Sequence, residues 1–337
     1  QMWQGVSTCE WAGLAIDYAL SHFIETLFLS AKKIFSATPA NLLFFGAPAL
    51  FVVLWSTGFI GAKMGLPYAE PATFLAIRFS AVAAILAVVA GLTGAAWPEN
   101  HTDKAHIAAV GLLVHGIYLG GIFGGISLGV TAGDSALIVG MQPILTAVLV
   151  GPVLGETVRA RQWIGFVIGT VGVTLVSWRY IDDLDSTLTG VVLCVVAVMG
   201  MSLGTIYQKR FCAQMNLLTG SCIQFLAAAL FMLLIAVAWE SGQVNWTGEF
   251  VFALGWLVIV LSLGAMTLLW LLVRAQAATQ VASLFFLVPP VTALIAWPLF
   301  GETLTLKSVI GMGLVVLGIL LVKHDRSEIS RKEVGPA

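Results

Sequence analysis

Charge is what this sequence has least of. Asp, Glu, Lys and Arg make up 10% of the 337 residues, against about 25% in an ordinary soluble protein. A chain of this length has too few polar side chains to cover a water-facing surface, which excludes a soluble enzyme. Neither sign dominates, with 16 basic against 17 acidic residues, so no field points to nucleic acid as a partner. Cysteine is scarce as well. Cys9, Cys194, Cys212 and Cys222 form no Cys-x-x-Cys pair and stand at no metal-ligand spacing from a histidine. They read as small apolar residues, and neither a disulfide scaffold nor a metal or other cofactor is expected. No basic n-region followed by a short apolar core and a small-residue cleavage site opens the chain, so no secretory leader is expected.

What is abundant is apolar surface: 59% of residues are hydrophobic and the mean hydropathy is +0.98. The lipid bilayer is the solvent that suits such a chain. A membrane helix needs about 20 mostly apolar residues. Ten stretches qualify, near 42–62, 71–91, 105–129, 131–153, 162–178, 188–208, 217–239, 249–272, 276–299 and 307–323. They are continuously apolar and too long for the roughly 10-residue alternating strands of a barrel. The predicted fold class is an all-α membrane protein with ten transmembrane helices.

Displacing the sequence by 146 residues superposes its halves without a gap. Pro143, Thr146 and Ala147 fall on Pro289, Thr292 and Ala293, and Pro152, Gly155, Glu156 and Thr157 fall on Pro298, Gly301, Glu302 and Thr303. Between 141–176 and 287–322 about a third of positions are identical. The same offset carries Ser56, Gly58, Ile60 and Lys63 onto Ser202, Gly204, Ile206 and Lys209. Five spans per copy is an odd number, so the second copy enters the membrane from the opposite side. The expected organisation is an N-terminal extension (1–40), a first five-helix repeat (42–178), an inverted second one (188–323) and a short tail (324–337).

Basic residues favour the cytoplasmic side of a membrane. With the N-terminus inside, twelve of the sixteen fall in cytoplasmic segments and three (Lys63, Arg179, Lys307) outside, leaving Arg78 within a span. Both termini are therefore expected in the cytoplasm, and the outer loop between halves is acidic, with Asp182, Asp183 and Asp185. In the extension, Asp17, Ser21 and Glu25 share one helical face and Ile16, Leu20, Phe23, Ile24 and Leu27 another. That pattern suits either an amphipathic helix on the membrane surface or a dispensable leader.

The segment Trp55-Ser-Thr-Gly-Phe-Ile-Gly-Ala-Lys63, the following Gly-Leu-Pro-Tyr-Ala-Glu-Pro71 with Arg78-Phe79, and the duplicated Gly-Glu-Thr resemble the EamA-type branch of the drug/metabolite transporter superfamily. The likeness covers about 42–323. It implies ten helices in two inverted five-helix repeats, a central cavity, and export of small metabolites such as amino acids across the bacterial inner (plasma) membrane. A homodimer is compatible with it.

Corresponding Pro-broken spans in two halves point to a transporter's binding site. Pro143, with Gln142 beside it, and Pro289 with Pro290 lie near mid-membrane, where proline interrupts the helix ladder; a purely packing role is the alternative. His115 lies near the midplane, where its repeat equivalent is the apolar Leu261. It suits a proton relay or a neutral ring bonded to a neighbouring helix, with Tyr118 one turn on as its partner or a substrate contact. Arg78 is expected to read a substrate carboxylate or to pair with Glu70 or Asp134. Trp55 and Ser56, with Ser202 and Tyr207, are further cavity candidates, while Trp297 fits an interfacial belt. Glu156 and Glu302 are expected to pair locally with Arg161 and Lys307 or to cap helices, and Lys63 and Lys209 to complement helix ends. Two glycine ridges, Gly116/Gly120/Gly124 and Gly121/Gly125/Gly129, read as close-packing faces.

The reading is a secondary transporter, not an enzyme, moving a small-molecule substrate by alternating access. With no Walker sequence, gradients supply its energy. An intramembrane enzyme and a non-transporting receptor or scaffold are the alternatives. The enzyme reading lacks clustered His, Asp or Ser groups at membrane depth.

Overall fold

A computed structural model describes residues 40–130, 132–176, 188–300 and 305–323. The expected helix in the N-terminal extension, the acidic loop at Asp182–Asp185, Glu302, the tail, and the side chains of Asp134 and Trp297 lie outside the described residues. The chain divides into two compact units, residues 1–49 and 50–337. The described part of the first is the opening of helix α1, and the second carries all the other described elements.

The described residues are helical and contain no strand beyond a single bridge between Ala69 and Val244. The helices are α1 (Ala40–Gly65), α2 (Pro71–Thr93), α3 (His101–Ser127), α4 (Ala132–Val139), α5 (Gln142–Leu154) and α6 (Ala160–Val176) in the first half. In the second they are α7 (Leu188–Phe211), α8 (Leu217–Trp239), α9 (Gly248–Ala275), α10 (Ala278–Ser283), α11 (Val288–Phe300) and α12 (Leu306–Lys323). Among the described residues seven helical stretches are long and apolar enough to cross a bilayer: those at α1, α2, α3, α7, α8 and α9, and Ala278–Ile295. The other expected spans are shorter or interrupted. The fourth is divided between α4 and α5, the described part of the fifth is α6, and the tenth is α12. The protein is thus an all-helical, multi-pass membrane protein. Helices dominate because a bilayer offers the backbone no water, and each N–H and C=O must be satisfied within the segment.

Local chemistry sets the ends. Asn216 accepts from the backbone N–H of Leu218 at 2.9 Å to start α8, and Thr247 accepts from that of Phe250 at 3.2 Å to start α9, as N-caps do. Gly94 and Gly155 close α2 and α5 in the left-handed region, at φ 61° and 69°, where side chains are disfavoured. Pro143 stands second in α5, and Pro289 and Pro290 follow Val288 in α11 after the 3₁₀ turn Leu284–Leu287. In a first helical turn the proline's missing donor would have no intrahelical partner anyway. Pro143 therefore starts a new helix after the turn at Gly140–Met141, whereas Pro289 and Pro290 follow a 3₁₀ turn inside the helical stretch Ala278–Ile295. Both α3 and α9 widen into π-helical turns, at Leu112–Leu119 and Leu257–Ala265; the offset of 146 carries the first onto Val258–Ala265.

Packing pairs equivalent helices from the two halves antiparallel. On α6 and α12, a Cβ added to Gly165 would lie 2.7 Å from the Gly318 carbonyl oxygen, and one on Gly172 2.7 Å from that of Gly311. The repeat offset relates these same four glycines. On α3, Gly121 approaches the Leu193 carbonyl of α7, while Gly116 and Gly120 accommodate Phe231 and Met232 of α8. Both glycine ridges of the third span are thus close-packing faces. At one end of α2 and α8, Glu240 accepts from the N–H groups of Ala72 and Thr73 at 2.7 and 2.6 Å, placing a carboxylate at the positive end of α2. In return Glu70 accepts from the N–H and hydroxyl of Ser241 at 2.7 and 2.6 Å. At the other end the Thr219 hydroxyl donates to the Ala96 carbonyl at 2.8 Å.

Two predictions follow from these contacts. Gly318→Ala places a methyl 2.6 Å from the Gly165 carbonyl oxygen, whereas a Cβ on Gly313, in the same helix, meets nothing within 4 Å. In detergent, thermal unfolding should show a lowered Tm for Gly318→Ala and an unchanged or raised one for Gly313→Ala, since alanine is the better helix former by up to about 1 kcal/mol. The Ser241 hydrogen bonds hold the Glu70 carboxyl below its ordinary value. A carboxylate so depressed stabilises the fold above its unfolded value and loses that effect as pH falls through the folded one. Tm measured from neutral to acid pH should therefore fall less in Glu70→Gln than in the wild type.

Candidate functional site

Helices α1, α2, α3 and α9 enclose a half-open cavity, and a concave, mostly apolar site with a few polar groups is where small molecules bind. Its wall is formed by Trp55, Gly58, Phe59 and Ala62 of α1, Arg78 of α2, Tyr118, Leu119, Ile122 and Phe123 of α3, and Leu261 and Met266 of α9. The π turns of α3 and α9 bring Tyr118 and Leu261 to it.

Trp55 is fixed by a cluster of rings. Its centroid lies 5.2 Å from Phe51 and 5.3 Å, edge-on, from Phe285, and it stacks on Tyr118 at 6.2 Å. Among the described residues Arg78 is the only charged one in the wall, and it is 3% exposed. Its Nε donates to the Ser262 hydroxyl at 3.1 Å, and its guanidinium lies 5.7 Å from the centre of the Phe79 ring. Among the described residues no carboxylate pairs with it. Glu70 is engaged by Ser241 instead, which overturns the expected Arg78–Glu70 pair.

Of the residues expected at a cavity, the structure brings Trp55, Arg78 and Tyr118 together and sets the others apart. Ser56 donates to the carbonyls of Val52 at 2.8 Å and Val288 at 3.3 Å, joining α1 to the start of α11. His115 is wholly buried, stacked on Phe225 at 4.0 Å with Phe79 5.8 Å away. Neither of its ring nitrogens makes a hydrogen bond of ordinary geometry, although the Gln224 side chain reaches it. Gln142 and Ser202 are buried, with Oε1 and Oγ respectively lacking a hydrogen-bond partner, and Pro143, Pro289 and Pro290 are buried at their helix starts. The Tyr207 hydroxyl bonds His106 Nδ1 at 2.6 Å, beside Phe211 near the end of α7. None of these eight borders the cavity.

Two polar contacts lie away from the cavity wall. Gln224 Nε2 donates to Gln208 Oε1 at 2.9 Å. Lys209 Nζ is 2.9 Å from Glu156 Oε1 and donates to the Gln276 carbonyl at 2.7 Å. Glu156 thus pairs across the repeats rather than with its neighbour Arg161, and Lys209 is more than a helix-end charge. Sequence reasoning passed over Ser262, although it is the one polar side chain between Trp256 and Thr267. It also passed over Gln224, although the offset makes it the counterpart of Arg78. Among the described residues no three His, Cys, Asp or Glu side chains stand together as a metal site would require.

The model of the EamA-like transporter family matches the chain twice, over residues 42–178 and 188–323. The chain belongs to that family. Its relatives include the uncharacterized transporter YvbV of Bacillus subtilis, 28% identical over 81% of this chain and 89% of that one. Another, in Streptantibioticus cattleyicolor, is named a probable terminal-alkyne amino-acid exporter and is 26% identical over 82% of this chain and 92% of its own. A crystal structure with 16% identity superposes with a TM-score of 0.67 over 82% of this chain and 96% of that chain, a likeness of fold. The EamA family and the relatives' names indicate a transporter rather than an enzyme, and so a small-molecule substrate.

Removing the Ser262 hydroxyl leaves the buried Arg78 Nε–H without its acceptor, which costs about 1–3 kcal/mol. Ser262→Ala should therefore lower stability by about that amount in reversible unfolding from detergent micelles, and Ser262→Thr should retain most of it.

Proposed function

We propose that this EamA-family protein is a secondary transporter that exports small metabolites such as amino acids. It works by alternating access between two inverted five-helix repeats in the bacterial inner membrane, with both termini in the cytoplasm. The observation that carries the reading is a half-open cavity with one buried cation, Arg78, in its wall; a separate ion pair, Lys209 with Glu156, joins the two halves. The antiparallel contacts Gly165–Gly318 and Gly172–Gly311 support the inverted arrangement, since equivalent helices then meet about a local twofold axis.

The cytoplasmic excess of basic residues orients the molecule. On that orientation the cavity, which runs along α1 from Trp55 to Ala62, opens outward. The Lys209–Glu156 pair, with the Gln276 carbonyl, latches the cytoplasmic end. It joins the end of α7 to the loop after α5, one element from each half. The offset carries this pair onto Lys63 and Glu302. His115, enclosed by Phe225 and Phe79 and set back from the cavity wall, is assigned to packing between α3 and α8.

Counterflow into proteoliposomes loaded with a broad panel of amino acids and related metabolites tests the transport reading. Accumulation of at least one is expected, and none across the panel overturns it. The latch is tested through Cys212, which is 3% exposed beside the Lys209 end of α7, as the only cysteine retained. Lys209→Gln and Glu156→Gln should each raise its maleimide labelling from the cytoplasmic side several-fold. The exchange Lys209→Glu with Glu156→Lys should bring labelling back toward the parent rate.

A further inference from the structure

We infer that the group the cavity reads is a single carboxylate carried on an apolar body, and that it makes no demand for an α-ammonium group. This rests on the cavity being the transport site and names the class of compound it takes.

The argument begins with the cation. A guanidinium excluded from water needs acceptors for its charge and its N–H groups, and it carries five donors. The protein supplies one acceptor, the Ser262 hydroxyl on Nε. Among the described residues the terminal nitrogens have none, and Arg78 forms part of the cavity wall. Fixing Nε leaves the two terminal nitrogens as a planar fork, the geometry that matches both oxygens of a carboxylate. Phe79 lies against the guanidinium.

The rest of the wall offers the ligand no second charge. Trp55, Phe59, Tyr118, Phe123 and Leu261 are apolar or aromatic, and no described Asp or Glu lines the cavity. An ammonium finds no carboxylate in the wall and a fixed positive charge near it, so an amine without a carboxylate is disfavoured. An amino acid binds through its carboxylate, with its ammonium left toward the open side, and gains nothing from it. A second carboxylate would also be stranded, because the repeat supplies no second Arg. The offset places Gln224 opposite Arg78 and His115 opposite Leu261, and that equivalent position is packed shut by His115 on Phe225. One buried fork with apolar walls fits a monoacid. Its body is received by the ring cluster of Trp55 and Tyr118, as pockets with a few placed polar groups receive small ligands.

Three matched probes decide the matter on the full-length protein in nanodiscs, by calorimetric titration: 3-phenylpropanoate, L-phenylalanine and 2-phenylethylamine. Phenylpropanoate is expected to bind at least as tightly as phenylalanine, and the amine at least tenfold more weakly than either. Arg78→Gln should weaken both acids at least tenfold, and Arg78→Lys, which keeps the charge and loses the fork, should weaken them less. Three results overturn the inference: an amine that binds as well as the acids, phenylalanine tenfold tighter than phenylpropanoate, or an unchanged Arg78→Gln. The wild-type comparison stands even if the variants do not fold. Counterflow of the same probes separates the two readings. Preferential acid binding without flux of any metabolite sinks transport and leaves the carboxylate site, whereas flux indifferent to the carboxylate does the reverse.

Discussion

Inside a bilayer every peptide N–H and C=O has to find its partner within the protein, because lipid offers none. That constraint decides where this chain is allowed to be irregular. Its helices break after Val139, tighten into a 3₁₀ turn between Ser283 and Val288, and widen into π turns in α3 and α9. At the break the Gly140 and Met141 N–H groups still reach the Ala136 and Ile138 carbonyls at 2.9 and 3.0 Å. Pro143, which follows it, stands where no donor is missed. Helix α5 packs against α7 and α10, so the irregular backbone is covered by protein. The π turns carry Tyr118 and Leu261 to the cavity, in keeping with the tendency of such turns to fall at functional sites.

The two halves share a backbone plan but differ in chemistry at the positions that face the cavity or its counterpart. Arg78 corresponds to Gln224, Leu261 to His115, Tyr118 to Gly264 and Trp55 to Met201. In one member of each pair the side chains border open space. In the other, His115 stacks on Phe225 while Gln224 bonds Gln208, and the space is filled. A duplicated frame therefore carries different chemistry at equivalent positions. The asymmetry arises from side-chain identity, because the backbone contacts of Gly165 with Gly318 and of Gly172 with Gly311 obey the symmetry.

Much of this frame was legible in the sequence, since length, hydropathy and the 146-residue offset are properties of the backbone plan. The break before Pro143, the 3₁₀ turn before Pro289 and the glycine faces of α3 were legible for the same reason: small or donor-less residues act locally. The site was only partly so. Trp55, Arg78 and Tyr118 stood out as polar or aromatic groups at depth, but depth alone does not say which way a side chain turns. His115 lies at a comparable depth, and Tyr207 nearer the end of its helix. They turn to Phe225 and His106 because those partners come from other helices, placed by tertiary packing. The partnership of Glu156 with Lys209, 53 residues away, was hidden for the same reason, and the nearby Arg161 was the more obvious candidate.

The contacts fall into two strengths, and the difference matters for a family of transporters. Backbone-to-backbone approaches such as Gly318 to Gly165 at 2.6 Å from a notional Cβ have no slack. Packed interfaces of this kind behave as rigid units that are either formed or not. The Lys209–Glu156 pair is of another kind, with side chains 22% and 24% exposed. A pair so placed contributes on the order of 0–1 kcal/mol, because water competes for both charges. Two conformations can both be populated only when they differ by a few kcal/mol, so under the proposed alternating access the contact between halves that opens has to be weak. A fully buried pair there would leave an uncompensated charge costing about 3–5 kcal/mol on opening, enough to hold the molecule in one state. Placing the reversible charge pair at the solvated end of α7, and the tight glycine contacts along α6 and α12, assigns each interaction to the duty its energy permits.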